Sequence, residues 1–459
     1  MINLFANPIP IEESTQKADG INLFSFARPY MRAFHFSWLS FNVAFTGWFA
    51  ISPLMPTIRK DLGLSPTNVN NSNIASVAAT VLFRMLVGPL CDQLGPRRVM
   101  AIVLIIGSIP TGLAGLATSA TSLIIVRFFI GFLGAAFVPC QFWTTQMFSS
   151  RTVGSANALV GGWGNMGAGI TYLILPVIFN LFCDFGLTPH QSWRVVLVVP
   201  VILLVTVGIC NLLFADDCPQ GDWSQHWVPN TEKVNNEKVN NEKVDNEKVN
   251  NEKREDSEKI IAEKKQDNET SVDSDSEKQN VKPTSRPKPK DFLRALKNHN
   301  VIILMCMYSC SFGLELAVDN VIGLFFVDQF GLSQTFGGLV GALFGLMNFL
   351  SRPSGGFISD AANKRMGIRG RMITQFCILC CEGVFLIVFR YTCDSLTGAL
   401  IALVFFSYFT QACAGSTFGI VPFVDPPIVG AISGLVGAGG NLGGLLLIVV
   451  FRASMVGGS

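Results

Sequence analysis

Apolar residues run along this chain in long blocks broken by short polar stretches, and eleven blocks reach the length, about 20 residues, that crosses a hydrocarbon layer as a helix. They fall near 33–55, 69–90, 98–118, 121–143, 156–182 and 193–214, and again near 301–327, 334–357, 371–391, 396–420 and 430–451. The pattern predicts an all-α polytopic membrane protein. Its expected organisation is an N-terminal tail (1–32), a first transmembrane half (33–214, spans 1–6), a hydrophilic loop (215–300) and a second half (301–459, spans 7–11).

Charge sharpens the division. The loop 215–300 holds 35 of the 66 Lys, Arg, Asp and Glu residues, so the other 373 positions share only 31. A surface so poor in charge cannot face water, and a soluble enzyme is excluded. The net charge of +2 mixes acid with base wherever either is dense, which gives no footprint for nucleic acid. Twelve cysteines sit within apolar stretches, as at Cys140, Cys210, Cys306 and Cys413, without metal-ligand spacing, and read as small buried apolar residues. No enzymatic centre, metal or cofactor is expected. The first thirty residues lack a secretory signal pattern.

Arg97, Arg98, Arg151, Lys364, Arg365, Arg369 and Arg371 gather on one side of the spans, with Lys288, Lys290, Arg294 and Lys297 before span 7. Only Arg59, Lys60, Arg194 and Arg390 lie opposite. The positive-inside rule then makes the N-terminus and the central loop cytoplasmic. That loop carries tandem VNNEK-type repeats over 234–253, a composition that reads as disordered. Ser257, Ser271, Ser274 and Ser276 beside its acids are candidate phosphorylation sites for a regulatory kinase.

The two halves repeat each other. LGLSPT (62–67) matches FGLSQT (330–335), and RMLVGPLCD (84–92) matches RPSGGFISD (352–360), both displaced by 268 residues; VGGWGNMG (160–167) matches VGAGGNLG (436–443), displaced by 276. Two parallel repeats of six helices is the layout of a major-facilitator transporter, with substrate held at the midplane between halves. Repetition alone leaves a channel or a membrane enzyme open. The stretch GPLCDQLGPRR (88–98) is similar to the major-facilitator superfamily's cytoplasmic loop motif, which makes Gly88, Asp92 and Arg97, with Gly355 and Asp360 in the second half, a candidate gate.

Arg84 and Arg352 lie eight residues before Asp92 and Asp360, hence about 12 Å into the membrane on a helix. An arginine at that depth is costly unless it faces a cavity or a partner, and neither has an acid within a turn in its own span. Two matched guanidinium forks suit a planar oxyanion. Asn165 and Asn441, each inside a glycine run, are the candidate lining amides, and Phe137, Tyr308 and Phe312 the candidate walls.

At these residues the chain resembles the nitrate/nitrite porter family of the major facilitator superfamily, and especially its fungal members. The stretches that carry the likeness are AFVPCQFWTTQMF (136–148), ANALVGGWGNMGAGITY (156–172), GLELAVDN (313–320) and GLVGAGGNLGG (434–444). The resemblance implies that Arg84 and Arg352 clamp nitrate, that Asn165 and Asn441 line its site, that Phe137 and Phe312 sandwich it and that Tyr308 bonds to it. It also implies nitrate import with protons at the plasma membrane, nitrite being a second substrate. Glu315, Asp319 and Glu382 are the candidate proton carriers. Exchange of nitrate for nitrite, and an anion channel or sensor on the same fold, are the alternatives. Family members have twelve spans; the expectation here is eleven, with the second half truncated and its twelfth helix missing.

Overall fold

A computed structural model describes residues 9–13, 15–223, 289–332 and 334–456. The chain divides into two units, Met1–Trp223 with Pro287–Ser459 and Ser224–Arg286, and the described residues belong to the first. The VNNEK repeats and Ser257, Ser271, Ser274 and Ser276 lie outside the described residues.

The described chain is helical apart from a small hairpin, Ile11–Glu12 with Lys17–Ala18. In order the helices are α1 (Tyr30–Phe49), α2 (Met55–Asp61), α3 (Pro66–Leu94), α4 (Pro96–Leu113), α5 (Ala120–Ile130), α6 (Phe137–Met147), α7 (Val153–Asp184), α8 (Pro189–Val196) and α9 (Val198–Phe214). The second half follows as α10 (Pro289–Lys297), α11 (His299–Phe330), α12 (Gln334–Leu346), α13 (Ser351–Met366), α14 (Ile368–Thr392), α15 (Leu396–Thr417) and α16 (Val429–Val456).

Their ends are written in local chemistry. Ser65, Thr188, Asn298 and Ser395 accept backbone N–H bonds at the starts of α3, α8, α11 and α15, with Pro66 and Pro189 in first turns where no donor is lost. Gly63 and Gly331, equivalent in the repeat, take the same left-handed φ of 60° and 62°. The duplicated LGL and FGL stretches therefore share the same backbone turn at glycine, one that a side chain would strain.

Among the described residues nine helical segments are long and apolar enough to span a membrane. The expected spans at 33–55 and 334–357 are helical but fall outside that set. Span 1 carries polar residues buried within the protein, including Ser37, Ser40 and Asn42, and span 8 is broken by a 3-10 turn at Met347–Phe349. Two details differ from the reading of the sequence. Ala215, Asp217, Cys218 and Trp223, expected in the loop, are buried, and Arg97 joins Asp217 at 3.1 Å. Cys306, Cys310, Cys377 and Cys380 are exposed, because an apolar run in a membrane helix has a lipid face as well as a core face.

The halves meet through equivalent pairs of helices, α3 on α16 and α7 on α13. At Gly88 a Cβ would fall 2.8 Å from the Gly430 carbonyl oxygen, and at Gly356 it would fall 2.7 Å from that of Gly154. These glycines let the backbones touch. The counterpart of Gly88 is thus Gly356; Gly355, expected in that role, packs on the backbone of Ala412 inside its own half.

One turn on, Asp92 accepts a bond from the Ala431 N–H at 3.1 Å, and Asp360 accepts from the Ser155 N–H at 2.6 Å and from the Ser155 hydroxyl. Each carboxylate caps the opening turn of a helix in the other half, where the helix dipole favours negative charge. Asp360 is also paired with Arg371 at 2.6 Å, and Arg371 reaches the Ser150 carbonyl.

Candidate functional site

The chain runs Arg84 on α3 and Arg352 on α13 toward the interface between halves, where both are fully buried. Their surroundings obey the repeat at first. Gly437 on α16 lies under the Arg84 stem and Gly161 on α7 under that of Arg352, with added Cβ atoms 3.3 and 3.4 Å from the respective Cδ atoms. One turn further along those helices, Asn441 donates to the Gly437 carbonyl at 3.0 Å and Asn165 to the Gly161 carbonyl at 2.7 Å. Expected as donors to an anion, both asparagines spend a donor on their own helix, and the side-chain oxygen of each is buried without a partner.

The partners of the two arginines then diverge. Arg84 donates from Nε to the Gly134 carbonyl and from Nη1 to the Gly437 carbonyl, each at 2.9 Å; its Nη2 has no partner. Arg352 donates from Nη2 to Glu315 at 2.5 Å and from Nε to Asn348 at 2.9 Å, with Nη1 3.5 Å from the Tyr308 hydroxyl. Asn348 in turn donates to Glu315 at 2.8 Å. Arg352 thus has an acidic partner after all, although none lies within a turn in its own span. The acid comes from α11, which no search within its own span would find. Burial of a charge demands such pairing, and the hydrogen bonds around it satisfy the remaining atoms.

Three rings complete the cluster. Tyr308 and Phe312, a turn apart on α11, stack within 7° of parallel, and Phe137 from α6 faces both at centroid distances of 5.9 and 6.2 Å. The Arg84 guanidinium carbon stands 4.9 Å from the Phe137 centroid and 5.1 Å from that of Phe312; Arg352 stands 5.7 Å from Phe312. All three rings are buried, so the cluster is closed to solvent in this structure.

Of the candidate proton carriers, Glu315 belongs to the cluster. Asp319 lies a turn further along α11, where the Tyr172 hydroxyl donates to its backbone carbonyl at 3.3 Å. Glu382 on α14 stands apart from the cluster, buried with neither carboxylate oxygen hydrogen-bonded. A further buried arginine escaped the reading of the sequence. Arg127 on α5 sits inside the run TSLIIVRFFIGFLG, and the scarcity of charge that singled out Arg84 applied to it equally.

With this geometry in view, comparison with known proteins is decisive. Residues 37–448 match the Major Facilitator Superfamily. The chain is 36% identical over 448 residues to the high affinity nitrate transporter 2.5 of Arabidopsis thaliana, covering 97% of this chain and 78% of that one. The chain belongs to the nitrate/nitrite porter family of the major facilitator superfamily. Within it, the nitrate/nitrite transporter NrtP of Nostoc punctiforme is 27% identical, over 94% of this chain and 88% of its own. Among solved structures, the proton:xylose symporter XylE shares the fold with a TM-score of 0.61 at 13% identity, covering 92% of this chain and 88% of that one. The protein is a multi-pass membrane transporter rather than an enzyme.

Proposed function

We propose that this porter imports nitrate, with nitrite as a second substrate, across the plasma membrane in symport with protons. The observation that carries the reading is the relation between Arg84 and the rings. With its guanidinium carbon 4.9 and 5.1 Å from two centroids 6.2 Å apart, the midpoint between the rings lies about 3.9 Å from that carbon. A planar trigonal anion held by two parallel N–H···O bonds of about 2.9 Å has its central atom about 4 Å from the guanidinium carbon. The slot is about 1 Å narrower than an intervening planar group needs at van der Waals contact on both faces, so it opens slightly on binding. A flat, weakly hydrated monovalent anion fits between rings; a tetrahedral phosphate or sulfate does not.

Glu315 supplies the coupling. With Glu315 ionised, two arginines and one carboxylate carry a net +1. Nitrate entering with one proton on Glu315 leaves that charge at +1 and releases Arg352 from its pair, so that Arg352 turns to the anion from the other side. Anion and proton thereby favour each other's binding, since each relieves what the other disturbs. Asp319, a turn along the same helix, is the second station for a proton. Nitrate bridging Arg84 and Arg352 draws the halves together, and alternating access follows as the seals at Asp92 and Asp360 break and re-form. On this reading the end bearing Asp92 and Asp360 is cytoplasmic, and the central loop is a cytoplasmic tether open to a kinase.

The test is uptake of isotopically labelled nitrate by cells that lack their own nitrate transporters. Accumulation above the external concentration, collapsing when the proton gradient is dissipated, is expected. Downhill flux alone would indicate a channel, and uptake that requires internal nitrite would indicate an exchanger.

A further inference from the structure

Arg127 has no carboxylate partner among the described ion pairs, although it is 97% buried (3% exposed) in an apolar span. Its Nη1 donates to Asn73 at 2.6 Å and to Ser72 at 3.3 Å, and its Nε is buried with no acceptor. The same side chain lines a crevice between the halves, formed with Trp48 and Phe49 of α1, Asn73, Ser76 and Val77 of α3, and Asn320 of α11. At about 10 Å³ the crevice is about the size of a single water, and it is lined from both halves, by α1, α3 and α5 of the first and α11 of the second.

Position along the helices gives this crevice its meaning. Asn73 precedes Arg84 by 11 residues on α3, about 17 Å of helix, and Asn320 follows Phe312 by eight on α11, about 12 Å. The crevice is therefore displaced from the ring slot away from the Asp92 and Asp360 seals. It combines an uncompensated cation, a free N–H and two aromatic walls, the features that suit a weakly hydrated anion at the central site.

We propose that Arg127 forms a second anion site, which stages nitrate on the outer path before it reaches Arg84. The inference rests on the nitrate reading above. An unpaired buried cation lowers the energy of an anion passing it, and the Nε–H supplies the one directed bond that the central fork later replaces.

The experiment compares right-side-out and inside-out vesicles carrying the full chain, with labelled nitrate as the probe on each face. Arg127→Gln retains an amide donor toward Asn73 and removes the charge. It is expected to raise the half-saturating concentration at the outer face at least tenfold and to leave the inner face within twofold. Arg127→Lys, which keeps the charge but lacks the Nε–H, is expected to fall between, and gives the same comparison if the glutamine variant does not reach the membrane. An equal change at both faces, or none, with protein present in normal amount overturns the staging site. A wild-type chain that moves no nitrate at all defeats instead the reading on which it rests.

Discussion

Arg84→Lys isolates the fork from the charge. In the native protein the Arg84 guanidinium holds two carbonyl oxygens, of Gly134 and Gly437, and still has Nη2 unpartnered. A lysine ammonium is a point donor on a flexible stem; it satisfies one carbonyl or the anion, and cannot present two parallel bonds. The loss is one charge-assisted hydrogen bond, about 1.5–3 kcal/mol, which corresponds to a roughly 10- to 150-fold weaker nitrate affinity. Leaving one of the two buried carbonyls without its donor costs about 1–3 kcal/mol of fold stability in addition, so transport is normalised to protein at the membrane. Initial rates of labelled nitrate uptake across a concentration series are expected to show the half-saturation point raised at least tenfold in Arg84→Lys and uptake abolished in Arg84→Gln. A lysine variant within threefold of wild type would refute bidentate binding and leave Arg84 a source of charge alone.

Other substitutions address coupling, gating and the outer loops. Glu315→Gln removes the proposed proton acceptor and weakens the Arg352 pair; nitrate exchange is expected to persist while uptake loses its dependence on external pH, and fully retained dependence would exclude Glu315 from coupling. Asp360→Asn weakens the cap on α7 and the pair with Arg371, worth together about 1–3 kcal/mol, and is expected to speed maleimide alkylation of buried Cys140, followed peptide by peptide in a mass spectrometer. On the far side, Asp61 is pushed up by burial, but hydrogen bonds from Arg194, His190 and Trp193 outweigh this and hold its carboxyl at about 2. A depressed carboxyl stabilises fully above its unfolded value near 4 and loses that contribution as pH falls toward 2. The gap in melting temperature between wild type and Asp61→Asn is thus expected to stay constant from pH 7 to 5 and to shrink only below 4.

Periodicity and caps made the helices legible in the sequence, because a membrane span needs length and apolarity and its ends need donors or acceptors from a few residue types. The constant offsets went further, since duplicated helices form duplicated interfaces: Gly88 against Gly430 repeats as Gly356 against Gly154. What stayed hidden is contact across distance in sequence. Glu315 lies 37 residues from Arg352 and meets it only because the fold turns the two side chains, from α11 and α13, toward one another. Likewise, Asp217 looks like part of a solvated loop until Arg97 of another helix reaches it. Side-chain direction was also hidden, as Asn165 and Asn441 were correctly read as an equivalent pair while their donors turn back onto their own helices.

The most consequential of these contacts breaks the symmetry that drew attention to the arginines. A site with two equivalent, unpaired guanidinium groups would carry +2 when empty, and would bind an anion strongly without any use for a proton. Here Arg84 is held only by neutral carbonyls, whereas Arg352 is neutralised by Glu315. On the proposed function the first can bind nitrate at any time, and the second only when its carboxylate is protonated or drawn aside. On the same proposal, duplication supplied two clamps, and a single acid on α11 makes one of them respond to protons. If that division of labour is correct, Arg84→Lys and Arg352→Lys differ in kind. The first weakens nitrate binding at every external pH, whereas the second weakens it chiefly in acid, where the native Arg352 is released. Uptake curves for the two variants that shift in parallel across pH 5 to 8 would show that the asymmetry has no part in coupling.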